Sequence, residues 1–422
     1  LTVQRCARHT SNRNIEEENL KRYLLSIILC APLFATVNVR NYGAQGNGID
    51  DDTAALNAAF EAGCAQSGSV YLPTGVYLVD PLAPLNGCAA TIYGDGNAKS
   101  ILRFRANLAA GRWQSLWSFT GGSEKTLTIH DLALDGQHAE LAGLSIDGYS
   151  TVAITGISSY NFGTPGYAQG HRGDYDGLYL INSEHATINS SQFTGNERMG
   201  VELQAVHNST VSNSVMSGNG GMGGVSEQNF SGPLDGPLVA QWLSNTLASN
   251  GSGGIDVETD PNLPPAQGIV KGNHVISCGD NDWGSGWGLV LGMHAFGTVQ
   301  GNEVDNFAAN APPSNYTSAI VYGNNGGPIQ ILNNTVKGTK SYGIVGSSGL
   351  FPVTITNNIL TNNKTGIFIY QSPGVQVSGN TVTSSASAGI AVYWSDGATI
   401  SGNNLTNNSP DLMINGVEAV PQ

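Results

Sequence analysis

The chain has 422 residues, of which 56 are glycine and only 11% are charged, and its formal net charge is -14. That acidity excludes binding to a phosphate backbone, which requires a basic surface, so no nucleic-acid partner is expected. Abundant Gly, Asn and Ser, with few helix-forming stretches, mark a turn-rich all-β protein.

Residues 1–35 read as a leader and signal peptide ahead of a single domain over 36–422. "LKRYLLSIILCAPLFAT" places Lys21 and Arg22 before an apolar run from Tyr23 to Leu29, with a cut after Ala35, the order of a bacterial-type secretory signal. The run is too short to span a bilayer. The expectation is a protein secreted to the periplasm or beyond, with no membrane contact after cleavage. Upstream, "LTVQRCARHTSNRNIEEEN" is polar and unpatterned and reads as translated leader, with the true start at Leu20. In an export context Cys64 and Cys88, which flank a predicted strand pair, are expected to form a disulfide. Cys278 is expected to be a buried small hydrophobe. No CxxC or HExxH occurs, so no zinc site is expected.

The segment 37–79 opens the domain. Asp52 or Thr53 caps a helix running "TAALNAAFEAG", with Asp50, Asp51 and Asp52 at its positive end. An amphipathic helix here covers a first coil whose bare edge would recruit other strands. In its elements "YGAQGNG", "DDDTAALNAAF" and "VYLPTGVYLV" the segment resembles the N-terminal signature of the pectate-lyase-like superfamily. That superfamily includes polygalacturonase-like hydrolases, polysaccharide lyases, alginate epimerases and phage tailspikes. The resemblance implies a right-handed parallel β-helix and carries over no catalytic residue: the "NTD", "GHG" and "RIK" motifs of polygalacturonases and the "DPH" of alginate epimerases are absent.

Internal repetition leads to the same fold from the residues alone. "GVEL" at Gly200, "GIDV" at Gly254, "GLVL" at Gly288, "GIVG" at Gly343, "GIFI" at Gly366 and "GIAV" at Gly389 share one pattern, and the last three starts are 23 residues apart. Each is followed by a second short strand carrying Asn273, Asn302, Asn334, Asn358, Asn380 or Asn403 at one fixed place. Units this short must stack on their neighbours, which predicts a single-stranded right-handed parallel β-helix, a solenoid with an N-terminal capping helix. The asparagines are expected to form a structural ladder of stacked amides.

Taking the Gly-x-x-x start as the register, the outward positions of successive coils are Ser145 and Asp147, Tyr179, Glu202 and Gln204, Ser226 and Gln228, then Asp256 and Glu258. Val290 and His294 follow, after which the face turns apolar through Val321, Val345 and Phe368. In "GGIDVETD" a period of two sends Ile255 and Val257 inward and Asp256 and Glu258 outward, with Asp260 in the following loop. Glu202, Asp256, Glu258 and His294 are the catalytic candidates, with Glu202 about two coils, roughly 9.6 Å, from Asp256. His171, Arg172, Asp174, Asp176, Tyr179, Gln204 and Trp287 are the substrate-binding candidates. Trp283 is a second loop aromatic, and Met293 is expected in the core. The longest insertions gather on these middle coils, and insertions on a solenoid mark its binding side.

A groove of this kind suits a polysaccharide substrate. The leading expectation is a glycosidase using paired carboxylates, with no cofactor and no resident metal. The alternative is a polysaccharide lyase or C5-epimerase acting on a uronan such as pectate or alginate, with Ca2+ held by the acids and a base among His171, Tyr179 and His294. The third is a polysaccharide-binding solenoid without catalysis.

Overall fold

The computed structural model describes residues 36–66, 68–105, 114–164, 175–228, 238–280, 285–311 and 316–419. The expectations for the leader 1–35, for His171, Arg172 and Asp174, and for Trp283 lie outside the described residues.

The fold is a parallel β-helix. Among the described residues its strands form a 24-stranded and a 14-stranded sheet, and successive coils pair in parallel along both. Inward positions of successive coils fill one continuous core, with Ile255, Leu289, Ile320, Ile344, Ile367 and Ile390 all fully buried in register. Each such aliphatic contributes roughly 1.5–3 kcal/mol by leaving water.

The corners explain the repeated Gly-Asn and Asn-Asn pairs. The first residue of each pair turns the chain in the left-handed region, as Gly272, Gly301, Asn333, Asn357, Gly379 and Gly402 do at φ between 56° and 65°. Glycine and asparagine are the residues that reach this region at least cost. The second residue is then a buried ladder asparagine. Asn302 N–H donates to Asn334 Oδ1 at 3.0 Å, Asn334 N–H to Asn358 Oδ1 at 2.9 Å, and Asn358 N–H to Asn380 Oδ1 at 2.9 Å. The ladder runs from Asn273 to Asn403 as the spacing predicts, and extends one coil further to Asn245. A second ladder, through Asn196, Asn219 and Asn250, ends on Cys278. Cys278 is buried as expected, and its Sγ also accepts the Asn250 N–H at 3.4 Å in place of a ladder amide.

The ends are closed differently. The helix Thr53–Ala65 covers the N-terminal coil, burying Leu56, Ala59 and Phe60, with the Phe60 ring 4.7 Å from that of Trp117. Its start differs from expectation. Asp52 makes no side-chain cap; its carboxylate accepts from the N–H groups of Gln45 and Gly46. Asp51 takes over by accepting from Thr53 N–H at 3.0 Å. The disulfide Cys64–Cys88 forms and ties this helix to the first coils. At the other end Leu412–Ile414 pairs antiparallel with Val417–Glu418. The connecting Asn415 and Gly416 both have positive φ, the requirement of a tight hairpin turn, and this hairpin covers the last edge.

Candidate functional site

The strand Gly253–Thr259 brings its acids to the outer face as the period of two requires. Ile255 and Val257 are fully buried, and Asp256 and Glu258 point the other way. Stacking chooses their neighbours. Val225, Asp256 and Val290 form one row across three coils, and Glu227 lies beside Glu258 in the row next to it. Although it faces outward, Asp256 is only 6% exposed, and its Oδ1 is buried without a hydrogen-bond partner. Burial pushes its carboxyl well above the usual carboxylate range, and the charges of Glu258 and Glu227 push it further. Burial also raises Glu258.

The next coil leaves room beside these acids. A Cβ on Gly292 would lie 3.0 Å from Glu258 Oε2 and 3.4 Å from Asp256 Oδ1, so both carboxylates face the space this glycine leaves empty. The corner that follows is held to the acid strand by Gly292 N–H donating to the Val257 carbonyl and Thr259 N–H donating to that of Met293, both at 2.9 Å. His294 occupies the left-handed position of this corner at φ 57°, half-buried, with Nδ1 buried and unpartnered. Trp287 lies on the same coil, 42% exposed.

A second charged group stands up-helix. Glu202 shares the row of Asp256, with Val225 between them, as the repeat predicts. It is not a free carboxylate. Arg198 Nη1 pairs with Glu202 and, at 3.1 Å, with Asp176 Oδ2, so one guanidinium serves two carboxylates. Asp176, expected to touch substrate, is fully buried instead. Its Oδ1 accepts from Met199 N–H at 2.8 Å, and it positions Arg198 rather than lining the groove. Burial lifts Asp176 to about 8, against the pull of Arg198 and with the push of Glu202. Tyr179 is stacked beside Glu202, and its hydroxyl donates to Gln204 Oε1 at 2.6 Å, so these two candidates are brought together.

Three expectations are corrected. Ser226 and Gln228 face inward, each 1% exposed, because the coil starts at Gly223 rather than Gly224; Val201 pairs with Gly224 and Glu202 with Val225. Glu227 is therefore the outward acid, and the sequence reading missed it. The signal was present: Asn196, Asn219 and Asn250 each precede the true strand glycine, Gly200, Gly223 and Gly254, by four positions. Met293, expected in the core, is 44% exposed at the corner.

A model of rhamnogalacturonase A/epimerase, pectate lyase-like proteins matches residues 36–234. The chain belongs to the pectate-lyase-like superfamily. Among members with curated names, it is 28% identical over 219 residues to the mannuronan C5-epimerase AlgE1 of Azotobacter vinelandii, a match covering 44% of this chain and 16% of that protein. The chain spans less than a quarter of the length of the first such epimerases it matches. Among solved structures, the Agl-KA catalytic domain superposes with a TM-score of 0.57 at 16% identity, covering 92% of this chain and 69% of that one. PfbA, a surface adhesin of Streptococcus pneumoniae, gives 0.54 at 15% identity over 92% of this chain and 95% of its own. Both likenesses show the parallel β-helix fold alone.

A model of the periplasmic copper-binding protein NosD matches residues 294–419. That stretch contains one histidine, His294, one methionine, Met413, and no cysteine, which is not a copper donor set. Among the described residues, His274, Glu303 and Asp305 do converge, on the 14-stranded sheet. There Lys337 Nζ lies 2.8 Å from Glu303 Oε1 and already supplies the positive charge.

Proposed function

We propose that the chain is a secreted enzyme that hydrolyses a polysaccharide at the Asp256–Glu258 face. The observation that carries this reading is the buried Asp256 carboxyl, its Oδ1 without a hydrogen-bond partner and its pKa pushed up by burial and by Glu258 and Glu227, beside a second carboxylate, with Gly292 facing both. A carboxyl kept neutral by its surroundings beside an ionised one is the arrangement that separates general acid from general base. Asp256 donates its proton to the glycosidic oxygen as the bond to the anomeric carbon breaks. Glu258 takes a proton from the water that attacks that carbon. The two carboxyls share one face of the strand, with their backbone positions ~6.6 Å apart. Trp287 offers a ring face for a sugar. The disulfide Cys64–Cys88 supports export to an oxidising compartment.

A second reading, epimerisation or elimination on a uronan, is favoured by the identity to a mannuronan C5-epimerase. That chemistry removes the proton beside a carboxylate, whose charge must be neutralised. Arg198, with 24% of its side chain exposed, could serve, and Glu227, Asp256 and Glu258 supply oxygen ligands of the kind Ca2+ takes. No Lys or Arg occurs in the strands Met222–Gln228, Gly253–Thr259 or Ser285–Leu291, which favours hydrolysis.

The test is incubation with neutral glucans, alginate and polygalacturonate, following reducing ends, ultraviolet absorbance of unsaturated products, and the uronate epimer ratio by NMR. New reducing ends without absorbance support hydrolysis. Unsaturated ends or a changed epimer ratio, abolished by EDTA, replace it with the second reading. No change in any polymer leaves a binding solenoid.

A further inference from the structure

Beyond the acids, the outer face of the same sheet changes character in register. The row that holds Glu227 and Glu258 continues past Gly292 and Gly323 to Ser347, Tyr370 and Tyr393. The row that holds Asp256 continues through Val290, Val321 and Val345 to Phe368. The aromatic side chains touch one another. Tyr342 and Phe368 lie 4.9 Å apart, Phe368 and Tyr393 5.6 Å, and Tyr370 meets Trp394 edge-on at 5.0 Å.

Trp394 is the unusual member. Its corner position is filled by Asn324, Ser348 and Gln371 in the preceding coils, all with positive φ. Trp394 adopts the same left-handed backbone at φ 46°, which is unfavourable for a bulky side chain, and its N–H is held by Asn415 Oδ1 at 2.9 Å. Its ring is nonetheless 61% exposed. A strained backbone that presents a large apolar ring to water adds nothing to the core, and such outliers gather at ligand clamps.

We infer that Tyr370, Tyr393 and Trp394, with Phe368 beside them, form a platform that binds the pyranose rings of a polysaccharide whose chain runs along the helix axis from the acidic face. This rests on the polysaccharide reading of that face. The occupant follows from continuity: the platform and the acids share rows, and between them Gly292 and Gly323 carry no side chain and Ser347 only a small hydroxymethyl group. Four coils separate Glu258 from Tyr370, about 19 Å, so the ligand is a polymer of several sugars rather than a short oligosaccharide. The apolar face of a pyranose ring stacks on aromatic rings, and a row of rings at coil spacing offers successive sugars the same contact.

The test is affinity electrophoresis of the full chain through gels containing alginate, polygalacturonate or a neutral β-glucan. The Asp256→Asn protein is used, so that binding is read apart from chemistry. Retardation by at least one polymer is expected. Tyr370→Ala combined with Trp394→Ala should weaken it at least tenfold, and Tyr370→Phe with Trp394→Phe should largely retain it. Urea unfolding checks that the ring-removed protein is folded; should it not be, Trp394→Gln alone, at a side chain largely in water, gives the same comparison. Retardation in a chain that alters none of the polymers supports the platform and removes only the reaction. No retardation by any polymer, equal retardation of ring-bearing and ring-removed proteins, or a self-association that ring removal abolishes overturns the inference.

Discussion

Gly292 stands against Glu258 on the neighbouring coil, where any side chain would enter the space between two carboxylates: its Cβ would come 3.0 Å from Glu258 Oε2. The first prediction follows directly. Gly292→Ala should lower kcat/KM at least tenfold, because its methyl takes the place of the attacking water, while the urea midpoint moves little. An alanine enzyme of unchanged kcat/KM would show that the reaction lies elsewhere.

Asp256→Asn and Glu258→Gln remove the proton donor and the base in turn. Each should reduce turnover by about 10²–10⁴, the usual contribution of a positioned acid or base. Wild-type turnover in both variants would disprove the assignment. The measurement is initial rate on whichever polymer the wild-type chain converts.

Stability should fall as pH rises towards neutrality. Asp176 and Asp256 have folded-state values raised above their unfolded ones, so the folded chain holds protons that the unfolded chain releases. The stabilisation is complete below the ordinary carboxylate range and is lost as pH rises through the folded values, up to about 8 for Asp176. Each group contributes a slope of up to about 1.4 kcal/mol per pH unit within its window. Asp51 and Asp95 shift the opposite way, and so act only below that range. Urea midpoints should decline across the window, and Asp256→Asn should make the decline shallower. A rising midpoint would contradict the sign.

The asparagine ladder should be costly to break. Asn334 accepts from Asn302 N–H and Nδ2, and its own Nδ2 donates to the Val299 carbonyl and to Asn358 Oδ1. Asn334→Leu leaves several of these groups buried and unpaired, each worth about 1–3 kcal/mol. The expected loss is at least about 3 kcal/mol in chemical denaturation, or failure to fold, and a loss below about 1 kcal/mol would argue against the ladder.

The disulfide joins two cysteines 24 positions apart in sequence. Reduction, or Cys64→Ser with Cys88→Ser, should destabilise the chain by roughly 2–4 kcal/mol. Limited proteolysis should then cut first within the helix Thr53–Ala65, which the bond ties to the first coils.

Much of this protein was determined by its sequence alone. The period of the glycine-led strands, the Gly-Asn corners and the alternation in "GGIDVETD" are local properties, set by backbone preference and by which face of a strand is apolar. They led to the β-helix, the ladder and the outward direction of Asp256 and Glu258, all of which the structure contains. What lay between coils was not legible in the same way. In "GMGGVSEQ" two adjacent glycines offer two registers, and a slip of one residue exchanges every inward side chain for an outward one. Only the pairing of Val201 with Gly224 decides for Glu227 over Ser226 and Gln228. Ion pairs between residues distant in sequence were equally hidden: Asp176 and Glu202 share Arg198 because stacking buries the first and brings both carboxylates to one guanidinium. The empty place beside Glu258 is likewise a tertiary fact, since a glycine leaves a space only where a neighbouring coil would otherwise have been filled.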